Sequence, residues 1–182
     1  MVLECREIHK SYGQKEALRG IDLDLEAGKI VGLLGPNGSG KTTLIKIING
    51  LLHMNSGSVK VCGYPIGVES KKRISYLPER TYLNLDMKVK ECVKMFQEFY
   101  SDFDVEKAND LLIRLNINPE DKMKHLSKGT KEKVQLVLVM SRNADLYILD
   151  EPIAGVDPAA RDLILNLIVN NLNPEATLLI CT

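Results

Sequence analysis

The chain has 182 residues, 45% hydrophobic and 26% charged, as expected of a globular protein with a buried core and not of a disordered or collagen-like one. Lys and Arg number 24, as do Asp and Glu, so the net charge is zero and no basic excess marks a binder of nucleic acid or anionic membrane. No apolar run reaches the ~18–20 residues that span a bilayer, and the start, Met1-Val2-Leu3-Glu4-Cys5-Arg6-Glu7, is charged too early for a signal peptide.

The first third reads as short strands over residues 2–8 and 21–25, with a turn at Ser11-Tyr12-Gly13 between them. Lys29-Ile30-Val31-Gly32-Leu33-Leu34 is a nearly continuous apolar run, the pattern of a strand buried on both faces. A Gly-rich loop follows, and then Leu44, Ile45, Ile47 and Ile48 at helical spacing, closed by Asn49-Gly50. Further strands are expected at 58–62 and 74–77. From Met87 to Leu115 glycine is absent and the pattern turns helical. Val89, Val93, Phe96 and Tyr100 share one face, and Val105, Ala108, Leu111, Leu112 and Leu115 another. A third helix is expected over 129–140, then strand 146–149, helix 161–172 and strand 177–181. This alternation predicts a parallel sheet with the helices of 87–140 inserted as a lobe. Cys5, Cys62, Cys92 and Cys181 are scattered without a Cys-x-x-Cys pair, so free thiols in a reducing compartment are expected rather than disulfides or zinc.

Three segments carry chemistry. Gly35-Pro36-Asn37-Gly38-Ser39-Gly40-Lys41-Thr42 fits the phosphate-loop pattern G-x-x-x-x-G-K-[ST] throughout, with an expected strand before it and a helix after it. Glycines let successive backbone N–H groups turn inward on phosphate oxygens. Lys41 can reach the β- and γ-phosphates, the Thr42 hydroxyl can ligate Mg²⁺, and the helix adds its positive end. Second, Leu146-Tyr147-Ile148-Leu149-Asp150-Glu151-Pro152 is an apolar strand ending in two carboxylates. Taken alone, the acidic pair reads equally as a solvated turn. Beside a phosphate loop, one carboxylate can hold Mg²⁺ while the other orients or deprotonates an attacking water. Third, Ser127 in Leu126-Ser127-Lys128-Gly129-Thr130 is a good N-cap for the third helix, with a second set of amides behind it; as a bare cap it is unremarkable.

Together these segments resemble the nucleotide-binding domain of ABC ATPases, across essentially the whole chain. Residues 35–43, Thr43 included, match the family's Walker A, and residues 146–151 its Walker B. Residues 126–130 occupy the place of its Leu-Ser-Gly-Gly-Gln signature, and Gly155-Val156-Asp157 resembles its D-loop. Tyr12 falls where the family stacks an aromatic ring on adenine. The resemblance implies an α/β fold: a P-loop NTPase (RecA-like) core with a parallel sheet, an N-terminal antiparallel β region and an inserted helical lobe. The division it suggests is 1–83 and 141–182 for the core and β region, and 84–140 for the lobe. It implies ATP and Mg²⁺ as cofactors and ATP hydrolysis as the activity. Lys41, Glu79 and Glu151 would then act in catalysis, Thr42, Asp150 and Glu79 at the metal, and Ser127, Gly129 and Asp157 at the nucleotide. It further implies a head-to-tail homodimer, or a pair with a second ABC subunit, that sandwiches ATP and powers a separate transmembrane permease. The place it implies is the cytoplasm, peripheral on the inner face of the membrane, with no nucleic acid involved. Leu126-Ser127-Lys128-Gly129, with Phe99-Tyr100-Ser101-Asp102-Phe103-Asp104 upstream, looks most like bacterial exporter subunits.

Three departures stand out. Lys128 and Thr130 replace the signature's usual Gly and Gln, with Lys128 expected in solvent. Glu79 stands where the family's Q-loop carries Gln. The strand 177–181 is one after which the family carries a catalytic His, and a buried strand at that position leads us to expect a C-terminally truncated domain with impaired hydrolysis. The alternatives are a soluble ABC ATPase of translation or chromosome maintenance and a non-hydrolysing nucleotide-binding regulator. The former usually carries two cassettes or a long coiled coil, for which 79–126 leaves no room.

Overall fold

The computed structural model describes residues 1–152 and 158–182. β1 (Leu3–Tyr12) and β2 (Lys15–Leu25) form an antiparallel hairpin. Both run further than the sequence pattern predicts. Register shifts on either side of Ile8 and before Ser11 break the period-two alternation that marks a strand. β3 (Ile30–Leu33) leads through the Gly-rich loop into α1 (Lys41–Ile48). β4 (Ser56–Val61) pairs antiparallel with β1, and β5 (Tyr64–Pro65) with β4. α2 (Val68–Lys72) and β6 (Ile74–Leu77) follow. β5 and α2 were not expected, because two and five residues are too few for a periodicity to register.

α3 (Val89–Phe99), α4 (Val105–Arg114) and α5 (Lys128–Met140) are the three helices of the glycine-poor stretch. β7 (Leu146–Asp150), α6 (Pro158–Asn171) and β8 (Thr177–Cys181) complete the chain order. Two sheets result, in the orders β2-β1-β4-β5 and β3-β8-β7-β6. In the second, β8 lies between β3 and β7 and is parallel to both.

The chain divides into two compact units. One comprises Met1–Tyr76, Ala144–Pro152 and Pro174–Thr182; the other comprises Leu77–Asn143 with α6 and the residues up to Asn173. The divides fall at 76/77 and 143/144, against 83/84 and 140/141 from the sequence, and α6 groups with the helices. It packs on α5, and Lys107 Nζ of α4 donates to the Asn171 carbonyl at 2.8 Å.

The first unit closes around one core. Leu3, Cys5 and Ile8 of β1, Val59 and Val61 of β4, Leu44, Ile45, Ile47 and Ile48 of α1, Leu146 and Ile148 of β7, and Leu179 and Cys181 of β8 pack together. One expectation fails here. β3 is not buried on both faces: it is the edge of its sheet, and Ile30 is 60% exposed. Continuous apolarity does not distinguish an edge strand from a central one. β7, buried at all five positions, is the strand that fits that description.

In the helical unit α5 packs against α3 and α4, and every residue of 134–140 is buried. Asp104 caps α4 by accepting the Lys107 amide at 2.9 Å. The junction behind α5 is held by Arg142, only 2% exposed, whose Nε and Nη2 donate to the two Asp102 oxygens at 3.1 and 3.0 Å. Its guanidinium lies 3.9 Å from the centre of the Tyr100 ring. Removing Asp102 leaves that buried cation without its carboxylate. Asp102→Ala should therefore cost about 2–4 kcal/mol in urea unfolding, somewhat below a fully buried pair because Asp102 keeps 26% exposure. A loss under about 0.5 kcal/mol would show the pair to be ornamental.

Candidate functional site

Strand register assembles the site. In the parallel ladders Cys181 is the partner of both Leu33 and Asp150, so the carboxyl ends of β3 and β7 stand at one level, two strand spacings apart. That separation is about 9–10 Å. Gly35 follows Leu33 by two residues and Glu151 follows Asp150 by one. The Gly-rich loop and the acidic pair thus leave the same edge of one sheet, where open parallel sheets bind ligands.

The loop is shaped by steric necessity at two points. Gly38 and Gly40 have φ of 82° and 99°. A Cβ on Gly40 would lie 2.6 Å from the Ala17 carbonyl oxygen and 2.8 Å from Leu18 Cδ2, whereas one on Gly38 would meet nothing within 4 Å. The Ser39 amide closes the turn on the Pro36 carbonyl at 3.2 Å. Asn37 lies at the exposed bend between them. α1 then starts at Lys41 from Gly40, with no side chain capping it. The amides of Lys41, Thr42 and Thr43 have no intrahelical acceptor, so their partial positive charge is available to an anion. Lys41 Nζ folds back over the loop and donates to the carbonyls of Gly35 (2.5 Å) and Pro36 (3.2 Å). An ammonium folded over the loop, at an uncapped helix start, fits a chain of phosphates.

β7 supplies the acidic side. Asp150 is 1% exposed and lies on the same strand face as Leu146 and Ile148, which pack with α1. Glu151, half-buried, takes a left-handed backbone (φ 53°), and its amide donates to the Cys181 carbonyl at 3.0 Å. Such a conformation costs a non-glycine residue of order 1–3 kcal/mol and turns the chain sharply off the sheet edge. A buried carboxylate with a second one turned out beside it is a donor set suited to a hard divalent cation such as Mg²⁺. Tyr12, at the end of β1, is 50% exposed, with Lys10 Nζ 5.4 Å from its ring centre. It keeps enough open ring to stack on a flat base.

The remaining sequence candidates lie in the helical unit. Ser127 caps α5: its Oγ accepts the Thr130 amide at 3.1 Å and lies 2.7 Å from Thr130 Oγ1. A Cβ on Gly129 would meet nothing within 4 Å, so the first turn is open to approach. Lys128 is 88% exposed and 3.9 Å from Glu132, in solvent as expected. Glu79 is exposed in the loop after β6. Asp157 lies outside the described residues. Cys181, read from the sequence only as a free thiol, donates its S–H to Asp150; strand order, which no local pattern reports, brings the two together.

The model of the ABC transporter family matches residues 18–154, which include the loop, the α5 cap and the acidic pair. The chain belongs to the ABC transporter family. It is 33% identical over 183 residues to the ABC transporter ATP-binding protein YtrB of Bacillus subtilis, covering 100% of this chain and 63% of that protein. It is 31% identical over 189 residues to the Nod factor export ATP-binding protein I of Burkholderia orbicola, covering 99% and 62%. The chain therefore spans about three fifths of the length of these curated relatives. A solved ATP binding subunit of an ABC transporter superposes with a TM-score of 0.90 at 29% identity, covering all of this chain and 79% of the other. The fold is thus that of an ABC ATPase domain, and membership implies ATP binding. Among the described residues no helix is long and apolar enough to cross a membrane.

The two loop glycines make separable demands. Gly38→Ala carries only the left-handed penalty of about 1–2 kcal/mol. Gly40→Ala should cost about 2–4 kcal/mol, because overpacking against β2 adds to the same penalty. Equal losses in chemical denaturation would contradict the close approach of Gly40 to Ala17.

Proposed function

We propose that the chain is the ATP-binding and ATP-hydrolysing part of a transporter whose membrane-spanning permease is a separate subunit. The observation that carries this reading is the shared sheet edge, with the Lys41 loop two strands from Asp150 and Glu151. The names of its relatives support it: YtrB is an ABC transporter ATP-binding protein and the Burkholderia relative a Nod factor export ATP-binding protein. In this reading the amides of residues 35–43 and the Lys41 ammonium hold the phosphates, and Tyr12 stacks on the adenine. Thr42 and Asp150 would hold Mg²⁺, which would supply neutralisation of phosphate charge. Glu151 orients water and takes its proton. Glu79 would assist at the metal and the water. Ser127 and Gly129 contact the nucleotide of a second copy, or of a paired ABC subunit, in a head-to-tail dimer, and Asp157 completes that contact. The complex would work at the cytoplasmic face of the membrane. An ATP-dependent pull-down from native membranes tests the partner: recovery of a multi-span protein supports the reading, and its absence at saturating ATP counts against it.

Lys41→Ala should abolish measurable ATP binding in calorimetry, because its ammonium is folded over the loop. Wild-type affinity in that variant would remove the site assignment.

Glu151→Gln should retain ATP and lose about 10²–10⁴ in turnover, the usual cost of a missing general base. Single-turnover hydrolysis measures it, and a loss below tenfold would assign the proton transfer elsewhere.

A further inference from the structure

Cys181 ends β8, directly between the strand that leads into the phosphate loop and the strand that ends in the acidic pair. Residues in register on neighbouring parallel strands project from the same face of a sheet. The Cys181 side chain therefore stands beside the Asp150 carboxylate, on the face where Leu146, Ile148 and Leu179 pack with α1. Both residues are enclosed, at 0% and 1% exposure.

The Cys181 side chain carries an S–H, a donor by its ordinary chemistry, and it hydrogen-bonds to the Asp150 carboxylate. A buried carboxylate needs donors to offset its desolvation. A thiol is a weak one, so it can fix the carboxylate's rotamer without competing strongly with a cation for its charge. The same residue's carbonyl accepts the Glu151 amide at 3.0 Å. One residue of β8 touches both members of the acidic pair, one through its side chain and one through its backbone.

We propose that Cys181 is a positioning residue: its thiol orients the Asp150 carboxylate toward the metal of the bound nucleotide, while its carbonyl anchors the backbone of Glu151. This rests on the reading above that Asp150 serves a Mg²⁺ ion. Its consequence is that the metal dependence of ATP binding is set partly from β8, a strand outside both nucleotide motifs.

The test is calorimetric ATP binding by the wild type and by Cys181→Ser, Cys181→Ala and Cys181→Val, over a Mg²⁺ series and in EDTA. Serine keeps a donor; alanine and valine remove it, one leaving space and the other filling it. The Mg²⁺ concentration for half-maximal enhancement should rise about tenfold in the alanine and valine variants, as for other groups that orient metal ligands. It should stay at the wild-type value in the serine variant, and ATP affinity in EDTA should be the same in all four. If Cys181→Ala fails to fold, the valine and serine variants carry the comparison. The proposal is overturned if the donor-less variants titrate like wild type, or if serine shifts as far as they do. A failure of the parent reading looks different: wild-type ATP binding would be indifferent to Mg²⁺, or Asp150→Asn would leave its Mg²⁺ titration unchanged.

Discussion

The register of β8 against its two parallel neighbours is the constraint on which the site depends. With Cys181 opposite both Leu33 and Asp150, the phosphate loop and the acidic pair are forced to one edge and one level, though more than a hundred residues separate them in the chain. A slip of one residue in the β7–β8 ladder would put Asp150 and Cys181 on opposite faces of the sheet. The apolar side chains of Leu146, Ile148 and Leu179 resist such a slip, because it would carry them out of the core as well. Hydrophobic burial thus fixes where the charges stand.

Once that edge is set, the loop's chemistry follows from an incompleteness. Most helices satisfy their first amides with a side chain, as Asp104 does for α4 and Ser127 for α5. α1 begins at a glycine that offers none. Gly40 is required there because a larger residue would strike the backbone of β2, so the close fit that excludes a side chain also excludes a side-chain cap. The unmet amides and the Lys41 ammonium together form a cationic cradle, and the carboxylates of Asp150 and Glu151 place the opposite charge at the same sheet edge. Cys181 stands at the junction of the two.

The helical unit uses polar chemistry for a different end. Its deeply buried cation Arg142 is matched by a two-pronged bond to Asp102 and by the Tyr100 ring. That cluster fixes the segment behind α5 without leaving a charge uncompensated. The Ser127 end of α5 stays open, with Lys128 and Gly129 in solvent. The same helix is thus rigidly held at its buried end and accessible at the end that carries the family's signature position.

Much of this was determined by the sequence alone. The spacing of Gly35, Gly40, Lys41 and Thr42, the apolar strand before Asp150-Glu151, and Ser127 ahead of an apolar helix are local patterns. Local backbone preference and hydrophobic period are enough to place them on a loop, a strand end and a helix start. The bulged hairpin, the two-residue β5 and the short α2 were less legible, since bulges erase alternation and brief elements show no period. Only the tertiary structure decided that β3 is an edge strand, that α6 belongs with the helical unit, and that Cys181 lies against Asp150. These are questions of strand order and packing partners. They are answered by contacts between residues far apart in the chain, for which the pattern around any single residue carries no signal.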